Sequence, residues 1–109
     1  MIINILGKNI TLTQAIKDLV NEKIDSLSKH IRGKDLTLAE ARVEVGLPSR
    51  HHQTGMVYYA EINLSLGGKL LRASEEHMDL NTAVIQARDE IKRQLQKEKD
   101  KQLTRRRKG

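Results

Sequence analysis

Apolar residues recur along this chain with two periods, and the changes of period divide it into successive elements. Met1–Leu6 is apolar and β-branched, which predicts a first strand; Gly7-Lys8-Asn9 breaks it. Ile16, Leu19/Val20, Ile24, Leu27 and Ile31 then share one helical face, while Lys17, Asp18, Asn21, Glu22, Asp25 and Lys29 lie off it. Thr13 is the expected N-cap, with Thr11 and Gln14 as a capping-box alternative. Gly33, flanked by Arg32 and Lys34, is expected to close this helix. From Leu38 to Leu47 the period becomes two. Ala39, Ala41, Val43, Val45 and Leu47 point one way, and Glu40, Arg42 and Glu44 the other, as in a strand with one wet face.

Pro48 opens a polar loop, Ser49–Gly55. Alternation returns from Val57 to Leu66: Tyr58, Ala60, Ile62, Leu64 and Leu66 oppose Val57, Tyr59, Glu61, Asn63 and Ser65. Gly67-Gly68 predicts a two-residue hairpin, because primed turns need positive φ. Lys69–Ser74 is the expected return strand, and Glu75–Met78 leads towards the last helix with Asp79 as its cap. In that helix, Asp79–Leu103, the apolar positions are Leu80, Val84, Ala87, Ile91 and Leu95. At about 1.5 Å per residue it is about 36 Å long.

The order β-α-β-β-β-α predicts an α+β fold. Its first strand–helix–strand crossover favours a parallel pair with a right-handed connection. The remaining strands form an antiparallel meander, giving a four-stranded mixed sheet with two helices packed on one face. Residues 1–103 read as a single domain, and 104–109 as a basic tail expected to be disordered in isolation.

Charge sharpens this picture. The net charge of +6 is local: from Lys92 onward nine Lys/Arg face only Glu98 and Asp100, whereas residues 1–91 hold eleven Lys/Arg and twelve Asp/Glu. A concentrated basic patch is what a polyanion site needs. Cysteine is absent, which excludes disulfides and thiolate chemistry and is compatible with a reducing cytoplasm. No apolar run reaches the roughly 20 residues of a membrane span, and the N-terminus lacks the pattern of a secretory leader.

Catalytic signals are poor. No serine sits in a G-x-S-x-G context. His51, His52 and His77 lack the cysteines or acidic cluster that would complete a metal site, and Gly67-Gly68 has no G-K-[ST] after it. The chain is read as a non-enzyme with no metal, cofactor or small-molecule substrate. Tyr58 and Tyr59 are the only aromatics, so a base-stacking sheet is disfavoured and recognition of the backbone and shape of folded RNA is favoured. The expected phosphate contacts are Arg88, Lys92, Arg93, Lys97, Lys99 and Lys101 on the long helix, Lys29 and Arg32 after the first helix, and Arg72 at the hairpin. Lys34, Arg50 and Lys69 supplement them. His30, with Glu22 and Asp25, marks a face expected to avoid phosphate.

These residues carry a resemblance. Ile3-Asn4-Ile5, then Leu12-Thr13-x-Ala15-Ile16, Gly68-x-Leu70-x-x-Ala73, and above all His77-x-Asp79, Thr82-Ala83 and Ile91-Lys92-Arg93-Gln94-Leu95-x-Lys97 resemble the short ribosome hibernation-promoting factor family. That family includes the ribosome-associated inhibitor and was once labelled sigma-54 modulation protein. Where its pattern carries an aromatic two residues after the capping aspartate, this chain has Asn81. The resemblance covers nearly the whole chain.

It implies a fold similar to double-stranded-RNA-binding domains. It further implies binding to 16S-type rRNA in the tRNA and mRNA channel of the small ribosomal subunit, and silencing of translation in stationary phase or stress. The basic ending Arg105-Arg106-Arg107-Lys108 places the chain nearer the branch that favours paired, inactive ribosomes together with a ribosome modulation factor. Long members carry a further dimerisation domain, for which this chain is too short. The alternative is a protein-interaction regulator, for example of a transcription factor, acting through the wet sheet face or the apolar end of a helix.

Overall fold

A computed structural model describes residues 1–48 and 57–108, with the backbone alone at 102 and 104–108. The elements are β1 (Ile2–Lys8), α1 (Gln14–Asp25), a 3-10 segment (Ser26–His30), a short α2 (Gly33–Leu38), β2 (Glu40–Gly46), β3 (Tyr58–Leu66), β4 (Lys69–His77) and α3 (Leu80–Lys108). The loop Ser49–Gly55, with Arg50, His51 and His52, lies outside the described residues.

The sheet has four strands in the order β1-β2-β3-β4. The pair β1–β2 is parallel, in the register Ile3↔Ala41 and Ile5↔Val43. The pairs β2–β3 and β3–β4 are antiparallel, with Val43↔Ile62 and Ile62↔Ala73. This is the expected mixed sheet, and both long helices cover one of its faces. The period of two dictates that result: Ala41, Val43, Val45, Ala60, Ile62, Leu64, Leu71 and Ala73 all face inward and are buried. Val20, Ile24 and Leu27 meet them from the first helical segment, and Ala83, Val84, Ala87, Ile91 and Leu95 from α3. Alanines at 83 and 87 let α3 lie close to the strands. Truncating a fully buried Ile62 or Ile91 to alanine would cost about 2–5 kcal/mol.

Two glycine positions fix the frame. At Gly46 a Cβ would collide with the Lys8 carbonyl, which is hydrogen-bonded by the Leu47 N–H at 3.1 Å. Only glycine lets the ends of the parallel pair close there. Gly67 and Gly68 both have positive φ, as the two-residue β3–β4 turn requires.

The caps follow the sequence. Thr13 Oγ1 accepts the Ile16 N–H at 3.2 Å, and Asp79 Oδ2 accepts the Thr82 N–H at 3.0 Å. Those bonds to Thr82 hold the Asp79 carboxyl below its ordinary range.

Three local expectations are corrected. First, the helix that begins at Gln14 does not run on to Gly33. Ser26 and Ser28 hydroxyls donate back to the Lys23 and Asp25 carbonyls, and the chain tightens into the 3-10 segment. Second, Gly33, with positive φ, opens α2 instead of closing α1. Third, Glu75–His77 continue β4 rather than leading into the last helix, because Tyr58 and Tyr59 of β3 offer pairing partners to His77 and Glu76. The helical backbone of α3 also extends past Leu103 to Lys108; no glycine or proline interrupts it.

Candidate nucleic-acid interface

The cations of α3 fall on two flanks of the helix. At about 100° per residue, Arg88, Lys92 and Lys99 lie within about 40° of one another. Arg93, Lys97 and Lys101 lie roughly 160° around the helix from them.

The first flank faces the end of α1 and the 3-10 segment. Arg88 Nη1 reaches Ser26 Oγ at 3.5 Å, and its other nitrogens hold Asp89 at 2.9 and 3.1 Å. This anchors a guanidinium across two elements. Lys92 and Lys99 of α3 and Lys29 of the 3-10 segment all act electrostatically on His30, and Lys99 lines a cleft with it. The His30 imidazole is pushed below its ordinary value of 6.5, first by desolvation and then by Lys92, Lys99, Lys29 and Arg88. Among the described residues, Lys29, Lys92 and Lys99 form no salt bridge. Cations therefore outnumber acids here, with Asp89 beside Arg88 and Asp35 and Glu98 at the Arg32–Lys99 end, as a phosphate-binding surface requires.

The second flank faces β4 and carries its own counter-charge. Arg93 forks onto Glu90 with contacts of 2.8, 3.1 and 2.8 Å, and Gln94 bonds the same carboxylate at 3.2 Å. These bonds hold Glu90 below its ordinary range and raise Arg93. Gln94 also donates to the Arg72 carbonyl at 2.8 Å, which ties the helix to β4. Lys101 lies 3.9 Å from Glu98, which also pairs with Lys69.

The remaining two expected residues separate. Arg32 precedes α2 and joins His30 and Lys99 around a cleft on the first flank. Arg72 projects from the outer face of the sheet, 3.7 Å from Glu61, because even-numbered positions of β4 point away from the helices. The structure thus gathers Lys29, Arg32, Arg88, Lys92 and Lys99, sets Arg93, Lys97 and Lys101 on the opposite flank, and puts Arg72 on another face.

His30 is the residue that sequence reasoning misplaced. It feels Lys92, Lys99, Lys29 and Arg88 and lines a cleft with Arg32 and Lys99. The signal that could have found it is the pair Ser26 and Ser28, whose hydroxyls bond back to the Lys23 and Asp25 carbonyls where the helix tightens.

The outer face of the sheet is different in kind. Glu44 and Glu61 stand directly opposite each other. Tyr59, pushed up to about 12 by burial, by the Glu44 carboxylate that accepts its hydroxyl, and by Glu61, lies beside them. Ile2, Leu6 and Leu70 are exposed on the same face. Among the described residues no group of three or more His, Asp or Glu could hold a metal ion, and no helix is long and apolar enough to cross a membrane.

Comparison with known proteins agrees with this architecture. The N-terminal domain of Thermus thermophilus Protein Y superposes with a TM-score of 0.73 at 31% identity, covering 89% of this chain and 98% of that one. A ribosomal subunit interface protein from Coxiella burnetii shares the fold with a TM-score of 0.72 at 18% identity, covering 92% and 99%. The ribosome hibernation promoting factor of Azotobacter vinelandii is 30% identical over 105 residues, spanning 96% of this chain and 89% of its own length. That of Klebsiella oxytoca is 30% identical over 101 residues, 93% of this chain and 96% of its own. A ribosome hibernation promotion factor of Deinococcus radiodurans is 28% identical over 103 residues, and there the match spans only 51% of the relative. The family model described as sigma 54 modulation protein / S30EA ribosomal protein matches residues 3–103. The chain belongs to that family.

Proposed function

We infer that this chain is a ribosome hibernation factor that binds the small ribosomal subunit through its 16S-type rRNA. The observation that carries the reading is the cluster of Lys29, Arg88, Lys92 and Lys99 around His30, on two packed elements. The names of the relatives supply the ribosome; the cluster supplies the chemistry of contact. Arg32 extends the surface at one end. Lysines give point-charge contacts with phosphates, and the fixed guanidinium of Arg88 adds forked hydrogen bonds. Arg93, Lys97 and Lys101 form a second, more neutralised contact strip, and Arg72 a peripheral one.

The mechanism in this reading is steric. A folded domain occupying the channel of the small subunit excludes tRNA and mRNA, so no bond is made or broken and no catalytic group is needed. Residues 1–103 act as one ribosome-binding unit, and the basic 104–109 stretch extends its charge. The partners are the subunit, its rRNA and a ribosome modulation factor, with paired, inactive ribosomes as the outcome in stationary phase or stress. A cytoplasmic location follows from ribosome association.

A sucrose-gradient profile of ribosomes with and without the protein tests this. The expected result is protein in the small-subunit-containing fractions and a gain of paired ribosomes. Protein remaining at the top of the gradient would contradict it.

A second reading has one observation in its favour. Ile2, Leu6 and Leu70 are exposed on the outer sheet face, a surface suited to a protein partner such as a transcription factor. A nuclease-treated pull-down separates the readings: recovery of ribosomal proteins that depends on RNA supports the first.

A further inference from the structure

A cleft lies where the 3-10 segment, α2, the β3–β4 hairpin and the C-terminal half of α3 converge. Its floor is aliphatic: Ile31, Leu66 and Leu95. These three core residues keep 7%, 9% and 5% of their surface exposed, while Ile24, Leu27, Ile62, Leu64 and Ile91 keep none. The core is therefore open to solvent at this point. The rim carries His30, Arg32 and Lys99, so it continues the basic flank without a break. The cleft also holds two acids. Glu98 is engaged by Lys69, and Asp35, an exposed residue, lines the cleft.

Each component narrows the ligand. An aliphatic floor offers a phosphate nothing, but it suits the flat face of a heterocycle. A cavity of about 80 Å³ is well below the roughly 300–1,000 Å³ of a small-molecule site, so a whole metabolite is excluded and a single ring is admitted. Cations at the rim match the phosphates on either side of such a ring. A carboxylate repels phosphate, yet it accepts hydrogen bonds from the amino and imino groups of a base edge. Aromatic residues are the usual platforms for unstacked bases, and here aliphatic side chains with an arginine take that place.

We propose that this cleft seats one unpaired nucleobase of the bound RNA, with its ring on Ile31, Leu66 and Leu95, its flanking phosphates at Arg32 and Lys99, and its N–H edge towards Asp35. The proposal rests on the reading of the basic flank as an RNA-binding surface and adds a base-recognition element to it. Contact with the backbone alone would make the domain indifferent to RNA irregularity. The cleft makes it prefer RNA with an extruded base.

The test uses the full chain and two RNA hairpins of equal length, one fully paired and one with a single-nucleotide uridine bulge. Binding is measured by anisotropy, and contacts by intermolecular NOEs to methyl groups. The bulged hairpin is expected to bind about tenfold more tightly, with NOEs from the bulged base to the methyls of Ile31, Leu66 and Leu95. Arg32→Ala, at an exposed position, is expected to bring the two hairpins within about twofold of each other while leaving the fold intact. Equal binding of both hairpins by the unmodified chain, without base-to-methyl NOEs, overturns the base seat, leaves the cleft to a protein side chain, and leaves the basic flank standing. Failure to bind either hairpin overturns the basic flank and the seat with it.

Discussion

The flank of α3 that meets the 3-10 segment and the outer face of the sheet are both rich in charge, and they are built on opposite plans. On the sheet, cations and anions are interspersed within and between strands. Arg42 lies 3.8 Å from Glu40 and Arg72 3.7 Å from Glu61, and Glu44, opposite Glu61, adds further acid. On the helical flank, desolvation first and then Lys92, Lys99 and Lys29 depress the protonation of His30. Like charges held together cost folding free energy, and an external polyanion relieves that cost. The difference teaches that a basic composition makes no binding surface by itself. A binding surface arises where two elements of separate sequence bring together more cations than acids.

The strongest way to break the comparison is charge reversal. Arg88→Glu, Lys92→Glu and Lys99→Glu together should reduce small-subunit binding at least about 10³-fold, since three phosphate contacts are replaced by three repulsions. Circular dichroism should remain native, because all three side chains lie at the edge of the core. The matched set Arg93→Glu, Lys97→Glu and Lys101→Glu should cost less, about tenfold to a hundredfold, because those residues already face acids. Equal losses from the two sets would erase the distinction between the flanks.

The pH dependence sharpens it. The ordinary His value is 6.5, and in the free fold His30 lies below it. The free protein therefore underbinds protons there, and phosphates that offset Lys92, Lys99 and Lys29 let the imidazole take one up. Affinity should rise as pH falls through the histidine range, by at most about tenfold per unit for one proton. His30→Gln should flatten that slope. Stability moves the other way: a lowered folded value gives a contribution that is present above the ordinary value and lost as pH falls through the folded one. A steep slope retained in the His30→Gln variant would remove His30 from the interface.

Two smaller effects separate scaffold from site. Thr13→Ala removes the cap that accepts the Ile16 N–H and should cost about 1 kcal/mol, read as a Tm lower by about 4–8 °C. Its intrinsic affinity for the subunit should not change. On the sheet, Glu44→Gln relieves a directly opposed pair of carboxylates and should stabilise by a few tenths of a kcal/mol, about 0.2–1. It should also let Tyr59, now at about 12, ionise at lower pH in an ultraviolet titration, with subunit binding unchanged within about twofold. A large loss of binding in this variant would transfer the site to the sheet.

Much of this architecture is legible in the chain itself, for physical reasons. Strict alternation in β2 and β3 leaves one register that buries Val43 against Ile62, and Gly67-Gly68 determines how β4 returns. The stripe from Leu80 to Leu95 settles which side of α3 is inside. The break after Asp25 is harder to read, because Ile31 keeps the apolar period while serine hydroxyls divert the backbone. The division of the α3 cations into two flanks is implicit in their spacing, yet their unequal neutralisation is not, since it depends on Glu90 and on contacts from β4. Arg72 reads from the sequence as a hairpin cation, and the strand period carries it to the far face.

The most direct test is the salt dependence of small-subunit co-sedimentation, measured for the unmodified chain and for the Arg88, Lys92 and Lys99 reversal. With about six phosphates engaged, affinity of the unmodified chain should drop about 10³-fold between 50 and 200 mM salt, and the reversed variant should show almost no salt-sensitive binding. A flat salt response, or an unaltered slope in the variant, would contradict the account.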